Sequence, residues 1–372
     1  KISASGIDLA GTLNNSGHLL VTGVVNAKNK STVANGDALT FENGLVAESG
    51  STVNNNTAQK TITLKGTSTF AADSTLSNSG NLIVAGTVNF EAAAAKVKIG
   101  ADATLKVVSG GTANMSSDVL KTFLSGSVTS EDKQTGTIAL SDTGVVDLKT
   151  ATIFADTTGN MSEKLGGAGT LVVSATSAKF DGADAVSGDA TKNKGVTLAF
   201  NELTLGKGNA FVVKDVNLEV AKDIKIKGNK GLTLQNGAKL TLNGSGTALD
   251  LESITLGEAT PSSGSLNVAS GEWGVKTLTV TKGKAIVAKD AQLNVTKSLT
   301  TTDADGKLEI NGGTVNAKDV ETLKLSANGA SITNAGKLIL SSDMVVKAAD
   351  STLITDKYDK NAVQGTTDAQ IS

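Results

Sequence analysis

Short apolar–x–apolar triplets dominate this chain and limit what it can fold into. From Val196 onward they read VTLAF (196–200), LTL (203–205), FVV (211–213), NLEV (217–220), IKI (224–226), LTL (232–234), LTL (240–242), ITL (254–256), LNV (266–268), LTV (278–280) and LNV (293–295). Successive units lie mostly 6–9 residues apart, separated by Gly, Asn, Asp, Ser or Lys. Period-two alternation is the strand signal, and Val, Ile, Leu and Thr suit it. Strands this short bury too little apolar surface alone, so each must stack on a neighbour.

A longer phrase, Gly-x-Leu-x-(Val/Ile/Leu), lies over the triplets. It opens at Gly17 (GHLLV), Gly80 (GNLIV), Gly264 (GSLNV), Gly306 (GKLEI) and Gly336 (GKLIL). Gly17 and Gly80 are 63 residues apart and Gly264 and Gly306 are 42 apart, both multiples of 21, whereas the step to Gly336 is 30. Three triplet units fill about one such period. The expected fold is therefore all-β: a right-handed parallel β-helix (β-solenoid) with about three short strands and ~22 residues per coil. Gly and Asn are expected at its corners, where positive φ is tolerated. The single proline, Pro261, agrees, because proline removes a ladder donor.

Asn-Gly at Asn35, Asn43, Asn236, Asn243, Asn311 and Asn328 supports a competing reading. That dipeptide is the strongest short hairpin signal and would fit an antiparallel sandwich or barrel. The brevity of the strands and the recurring phrase favour the solenoid. Two stretches break the rhythm. SSDVLKTFLSG (116–126) places Ser and Asp before apolar Val119, Leu120, Phe123 and Leu124, a helix-start pattern. FEAAAAKVKIG (90–100) carries an alanine run suited to a helical turn. The expected organisation is one solenoid domain over 1–354, with an irregular insertion at about 116–165, and a tail or truncated connection over 355–372.

Composition narrows the function classes. All 34 basic residues are Lys, against 36 acidic ones, for a net charge of −2. That balance, without the bidentate fork of Arg, argues against a nucleic-acid binder. No Cys is present, which removes disulfides, thiolate metal sites and cysteine nucleophiles. No apolar run approaches the roughly 18 residues of a membrane span. KISASGIDLA begins in mid-pattern, as expected of a processed or excised piece.

Candidate chemistry is sparse. His18 is the lone histidine and fills the slot held by Asn81, Ser265, Lys307 and Lys337 in the other phrase copies, so it is expected to face solvent. Paired carboxylates of the kind that cleave glycosidic bonds are Asp181 with Asp184, Asp250 with Glu252, and Asp303 with Asp305. In the Asp250/Glu252 pair the i, i+2 spacing projects both groups to one face, with Leu251 turned inward. One Trp and one Tyr supply little aromatic platform for sugars. TTDADGKLEI (301–310) echoes a calcium loop but lacks its twelfth-position acid, since Gly312 stands there, and reads as a turn. Lys222, Lys225, Lys227 and Lys230 form a short cluster that Glu219 and Asp223 dilute, an ordinary solvated strand face. Thr pairs such as TITL (61–64) and TLTV (277–280) do not repeat coil after coil as an ice-binding lattice requires. Trp273 in SGEWGV is expected at a corner and is the one exposed-aromatic candidate for partner contact. No catalytic, cofactor-binding or metal-ligating residue is assigned, and no cofactor is expected.

The NNSGHLLVTGVVNA and SNSGNLIVAGTVNF stretches (14–27 and 77–90) resemble the passenger regions of bacterial autotransporters and haemagglutinin-like surface adhesins. The resemblance implies a secreted β-helical rod displayed at the bacterial cell surface, without catalytic residues. Its expected partners are a host or neighbouring-cell receptor or glycan, or copies of itself. The composition, rich in Lys, Thr, Ala and Gly, also resembles S-layer and appendage proteins, which implies a self-assembling lattice or filament subunit. A polysaccharide lyase or hydrolase is the third expectation. The chain carries no C-terminal barrel pattern of alternating ~10-residue strands.

Overall fold

The computed structural model describes residues 1–93, 96–131, 135–140, 145–147, 165–167, 169–180, 185–187, 196–205, 210–226, 231–244, 251–258, 262–320, 322–325, 331–340, 346–348 and 352–355. Every strand pairing among them is parallel. The chain winds as a three-sided parallel β-solenoid. Face A begins with Gly6–Leu9, Val24–Ala27 and Leu45–Ala47 and reaches Thr352–Thr355. Face B begins with Thr12–Asn15, Thr32–Asn35, Thr52–Asn55 and Thr75–Asn78. Face C begins with His18–Val21, Ala38–Phe41, Thr61–Leu64 and Asn81–Val84. The period is uneven. Gly6 pairs with Val24, 18 residues on, whereas Thr137 pairs with Val172, 35 residues on.

Alternation turns every second side chain inward, and the register stacks those side chains into columns. On face C one column runs Leu39, Ile62, Leu82, Leu105, Val128, each at most 1% exposed. Burying each fully contributes about 1.5–3 kcal/mol, and only a coil on either side completes that burial. In the first coil the inward Ile7, Leu9, Leu13 and Leu19 are only partly buried. Phe70 stacks on Phe90 with centroids 5.1 Å apart, and Phe90 meets Phe123 edge-on at 5.2 Å.

The antiparallel alternative is overturned at its strongest signal. Asn236 and Gly237 have φ of 52° and 82°, as a hairpin turn would require. The flanking strands Gly231–Gln235 and Ala238–Asn243 nevertheless pair in parallel with strands of neighbouring coils. The turn bends the chain around a corner between faces C and A.

The recurring phrase serves all three faces. Its Gly80 copy leads onto face C, the Gly264 and Gly306 copies open strands of face A, and the Gly336 copy leads onto face B. Positive φ does not explain these glycines. A Cβ at Gly80, Gly264, Gly306 or Gly336 would stand 2.2, 2.2, 2.4 or 2.3 Å from a carbonyl oxygen of the coil before it. At Gly17, in the first coil, nothing lies within 4 Å. Corner residues with positive φ include Lys30, Gln59, Asp215 and Asp290, with Asn236 the sole Asn among the described residues. The phrase is thus a device for close coil-to-coil approach.

The helix expected near 116 spans Ser117–Phe123 and is capped by Ser116, whose Oγ accepts from the Val119 N–H at 3.2 Å. It buries Val119, Leu120 and Phe123 and takes the face-B place between Thr112–Met115 and Ser127–Ser130. Within the alanine run Ala94 and Ala95 lie outside the described residues, as do Pro261, most of 132–164 and 356–372. Among the described residues no helix is long and apolar enough to cross a membrane.

Candidate functional site

His18 faces outward at the start of its face-C strand, its side chain 87% exposed, with Nε2 3.6 Å from Asp37 Oδ2. Asp37 also receives Lys60 Nζ at 2.9 Å, and that hydrogen bond is the main reason its carboxyl titrates below the usual value. His18 belongs to a surface charge row with Asp37 and Lys60.

Of the candidate carboxylates, Asp181, Asp184 and Asp250 lie outside the described residues. Leu251 is fully buried, as the alternation predicts, and Glu252 pairs with Lys276 Nζ at 3.1 Å. Asp303 accepts the Asp305 N–H at 3.2 Å, closing a turn, while Asp305 pairs with Lys282 at 3.7 Å. Among the described residues no group of three or more His, Asp or Glu side chains is placed to hold a metal ion.

The lysines staple coil to coil. Lys28 reaches Glu48 at 2.7 Å and Asp8 at 3.5 Å, spanning three coils. Its pKa is raised, chiefly by the Glu48 hydrogen bond. That of Asp8 is lowered, first by the Asn26 amide and then by Lys28. Lys65 pairs with Glu42 at 2.9 Å, Lys106 with Glu131 at 2.7 Å and Lys284 with Glu309 at 2.6 Å. In the 222–230 cluster Lys222 pairs with Glu202 at 2.9 Å and Lys225 with Asp223 at 3.2 Å, while Lys227 and Lys230 lie outside the described residues. The cluster's described charges are therefore matched by carboxylates, and each exposed pair contributes little to stability by itself.

Two sequence readings need correction. Trp273 was expected exposed at a corner; it is fully buried, facing inward on face B in register with Leu293. Its indole Nε1–H donates to the Ser270 carbonyl at 2.9 Å, which satisfies the polar edge of a core aromatic. It offers no partner contact. The second correction concerns Asn15, Asn35, Asn55 and Asn78. They are not positive-φ corner residues but the inward, buried last positions of four successive face-B strands. Each Nδ2 donates to the next Oδ1, at 2.8, 2.8 and 2.7 Å. Sequence reasoning missed this ladder, although its signal is present: Ser-Thr-(Val/Leu)-x-Asn recurs at 31–35, 51–55 and 74–78.

The outward faces carry columns of small polar groups. Thr12, Thr32, Thr52 and Thr75 are aligned on face B, and Thr67, Thr87, Thr112 and Thr137 on face A. The second outward position varies on face B through Asn14, Ala34, Asn54 and Ser77, so no lattice of Thr pairs forms. Phe41, Phe70, Phe90, Phe123, Phe200 and Phe211 are all buried with Trp273, leaving no outward ring with a described side chain to stack on a sugar. Comparison with protein-family models, curated proteins and solved structures finds no match to the chain.

Proposed function

We propose that this protein is a non-enzymatic, extracellular rod of a bacterial cell surface, acting in adhesion or surface architecture. One observation carries the reading: aligned outward columns of Thr over an interior filled by stacked aliphatics. Such a surface presents the same groups coil after coil, and multivalent, shape-based contact follows from that repetition. Its ligand is a receptor or glycan of a neighbouring cell. The test is binding of purified protein to cells and glycan arrays, with Thr32→Glu and Thr52→Glu placed together on face B. Loss of binding with an unchanged circular dichroism spectrum supports the reading. Turnover of any glycan that disappears on Glu252→Gln would overturn it in favour of a polysaccharide-cleaving solenoid.

A second reading is a subunit of a self-assembling lattice or filament. The flat Thr columns favour it, since small side chains in straight rows let one rod lie closely against another. Electron microscopy separates the two, with discrete rods expected for the displayed adhesin and ordered sheets or fibres for the subunit.

A further inference from the structure

Six Asn-Gly dipeptides run through the chain, and they are not equivalent once folded. In such a dipeptide the glycine backbone nitrogen attacks the Asn side-chain Cγ. A C–N bond forms, the Cγ–N bond of the carboxamide breaks, and its nitrogen leaves as ammonia with the displaced backbone proton, relayed through solvent. Water then opens the cyclic imide at either carbonyl, giving aspartate or isoaspartate. The net change is one water consumed and one ammonia released, with no oxidant or reductant. The reaction needs a free carboxamide and a free following N–H, and Asn is thermolabile for this reason.

Four of the dipeptides are held. Asn35 is buried in the ladder, donating to Asn55 Oδ1 and accepting from Asn15, while the Gly36 N–H donates to the Asn15 carbonyl at 2.8 Å. The Gly237 N–H donates to the Ser263 carbonyl at 2.7 Å, which protects Asn236. Asn243 is held at both ends of its carboxamide, by Glu219 at 2.9 Å and Ser270 at 3.0 Å. Asn43 donates to the Thr22 carbonyl, and Gly44 is wedged against Thr67, whose carbonyl would stand 1.9 Å from a Cβ there. Asn328 lies outside the described residues.

Asn311 differs. It sits exposed at the corner between Gly306–Ile310 on face A and Thr314–Ala317 on face B. Its backbone N–H donates to the Val287 carbonyl at 2.8 Å, but among the described residues neither its carboxamide nor the Gly312 N–H makes a hydrogen bond. Gly312 has φ of +84°, and the nearest atom to where a Cβ would stand is the Lys289 Cβ, 3.4 Å away. We infer that Asn311 is a site of spontaneous deamidation in the folded rod, set apart from the protected Asn35, Asn43, Asn236 and Asn243 by its free carboxamide and free following amide. The product places a carboxylate one residue from Gly312, against which Lys289 packs. As isoaspartate it also lengthens the backbone by one atom at a corner that joins two faces.

The test is incubation of the folded protein and of the urea-unfolded chain in mildly alkaline buffer, followed by digestion at lysine and sequencing by mass spectrometry. In the unfolded chain the six sites should convert at similar rates. In the folded protein Asn311 should keep its unfolded rate. Asn35 should slow by about ten-fold or more and Asn236 by about five-fold, given about five-fold for each hydrogen bond that must open first. Asn311→Gln should lower isoaspartate methyl-acceptance by the folded protein. Conversion of Asn35 at the Asn311 rate, protection of Asn311 on folding, or an undiminished isoaspartate signal in Asn311→Gln would each overturn the inference.

Discussion

The coils before Met115 and those from Thr170 to Thr301 solve the same corner problem in two ways. In the first group the strands are three or four residues long and turns separate all three faces. The corner that follows face B is held by the Asn ladder, whose amides also reach the carbonyls of Ala38, Thr61 and Asn81 at 3.0, 3.1 and 3.2 Å. In the second group single strands run straight through a corner, Val196–Leu205 between faces A and B, Ala291–Thr301 between faces B and C, and Gly264–Val280 through both. Register shifts at Phe200/Glu202 and Val275/Thr277 absorb the bend. A corner leaves backbone groups without ladder partners. Side-chain amides answer for them in one half, and a locally bulged ladder keeps them paired in the other.

Breaking the core of each half tests that contrast most severely. Trp273→Ala should cost about 3–5 kcal/mol, because a fully buried indole leaves a cavity and abandons its bond to Ser270. Repeat folds couple mainly to nearest neighbours, so the damage should stay local. Hydrogen exchange should quicken at 271–275 and 291–295 and remain slow at 32–35 and 52–55. Equal acceleration everywhere would mean one cooperative unit.

Asn55→Ala is the mirror experiment. Asn55 accepts from Asn35 and donates to Asn78 and to the carbonyls of Lys60 and Asn81. Truncation removes these four contacts and strips the buried Asn78 Oδ1 of its donor, at about 2–3 kcal/mol. Exchange should quicken at 32–35 and 75–78 alone. Asn55→Leu should be no better, since an aliphatic of similar size cannot accept from Asn35. A stable, fully protected Asn55→Leu would show the ladder to be ornamental.

The recurring phrase gives a finer comparison within one motif. Gly264→Ala forces a Cβ to within 2.2 Å of the Leu234 carbonyl and should cost about 1–3 kcal/mol through coil separation. Gly17→Ala, in the same phrase but with open space around it, should change stability by less than about 0.5 kcal/mol. Urea midpoints of the two variants decide the matter, and equal losses would show that φ, not coil approach, selects glycine.

These residues also show how far the sequence could be read. The solenoid and its inward columns follow from period-two alternation, because Leu251 or Leu266 has one apolar side to face whatever its coil length. Register was hidden: Thr12, Thr32, Thr52 and Thr75 align across steps of 20, 20 and 23 residues, which no fixed period reveals. Asn55 and Trp273 misled for a shared reason. Each is a polar or amphipathic side chain whose burial depends on a partner from another coil or corner, and composition says nothing of partners.

The smallest expected effect belongs to the charge rows, which the two halves share. Glu202 titrates below its ordinary 4.5, chiefly through the Lys222 hydrogen bond, and Lys222 above its ordinary 10.5 through the same contact. A lowered carboxyl stabilises fully above its unfolded value and loses that contribution as pH falls through its folded one. A raised amine stabilises fully below its unfolded value and loses it as pH rises through its folded one. The pair's contribution is therefore constant between those two ordinary values and fades outside them. Glu202→Gln should shift the urea midpoint slightly at neutral pH and by nothing measurable once acid has protonated Glu202 in the parent. Asp8 beside Lys28 should behave alike in the amino-terminal coils, so acid should weaken both halves together where Asn55→Ala and Trp273→Ala separate them. Acid loosening confined to one half would mean that the charge rows, like the corners, are built differently along the rod.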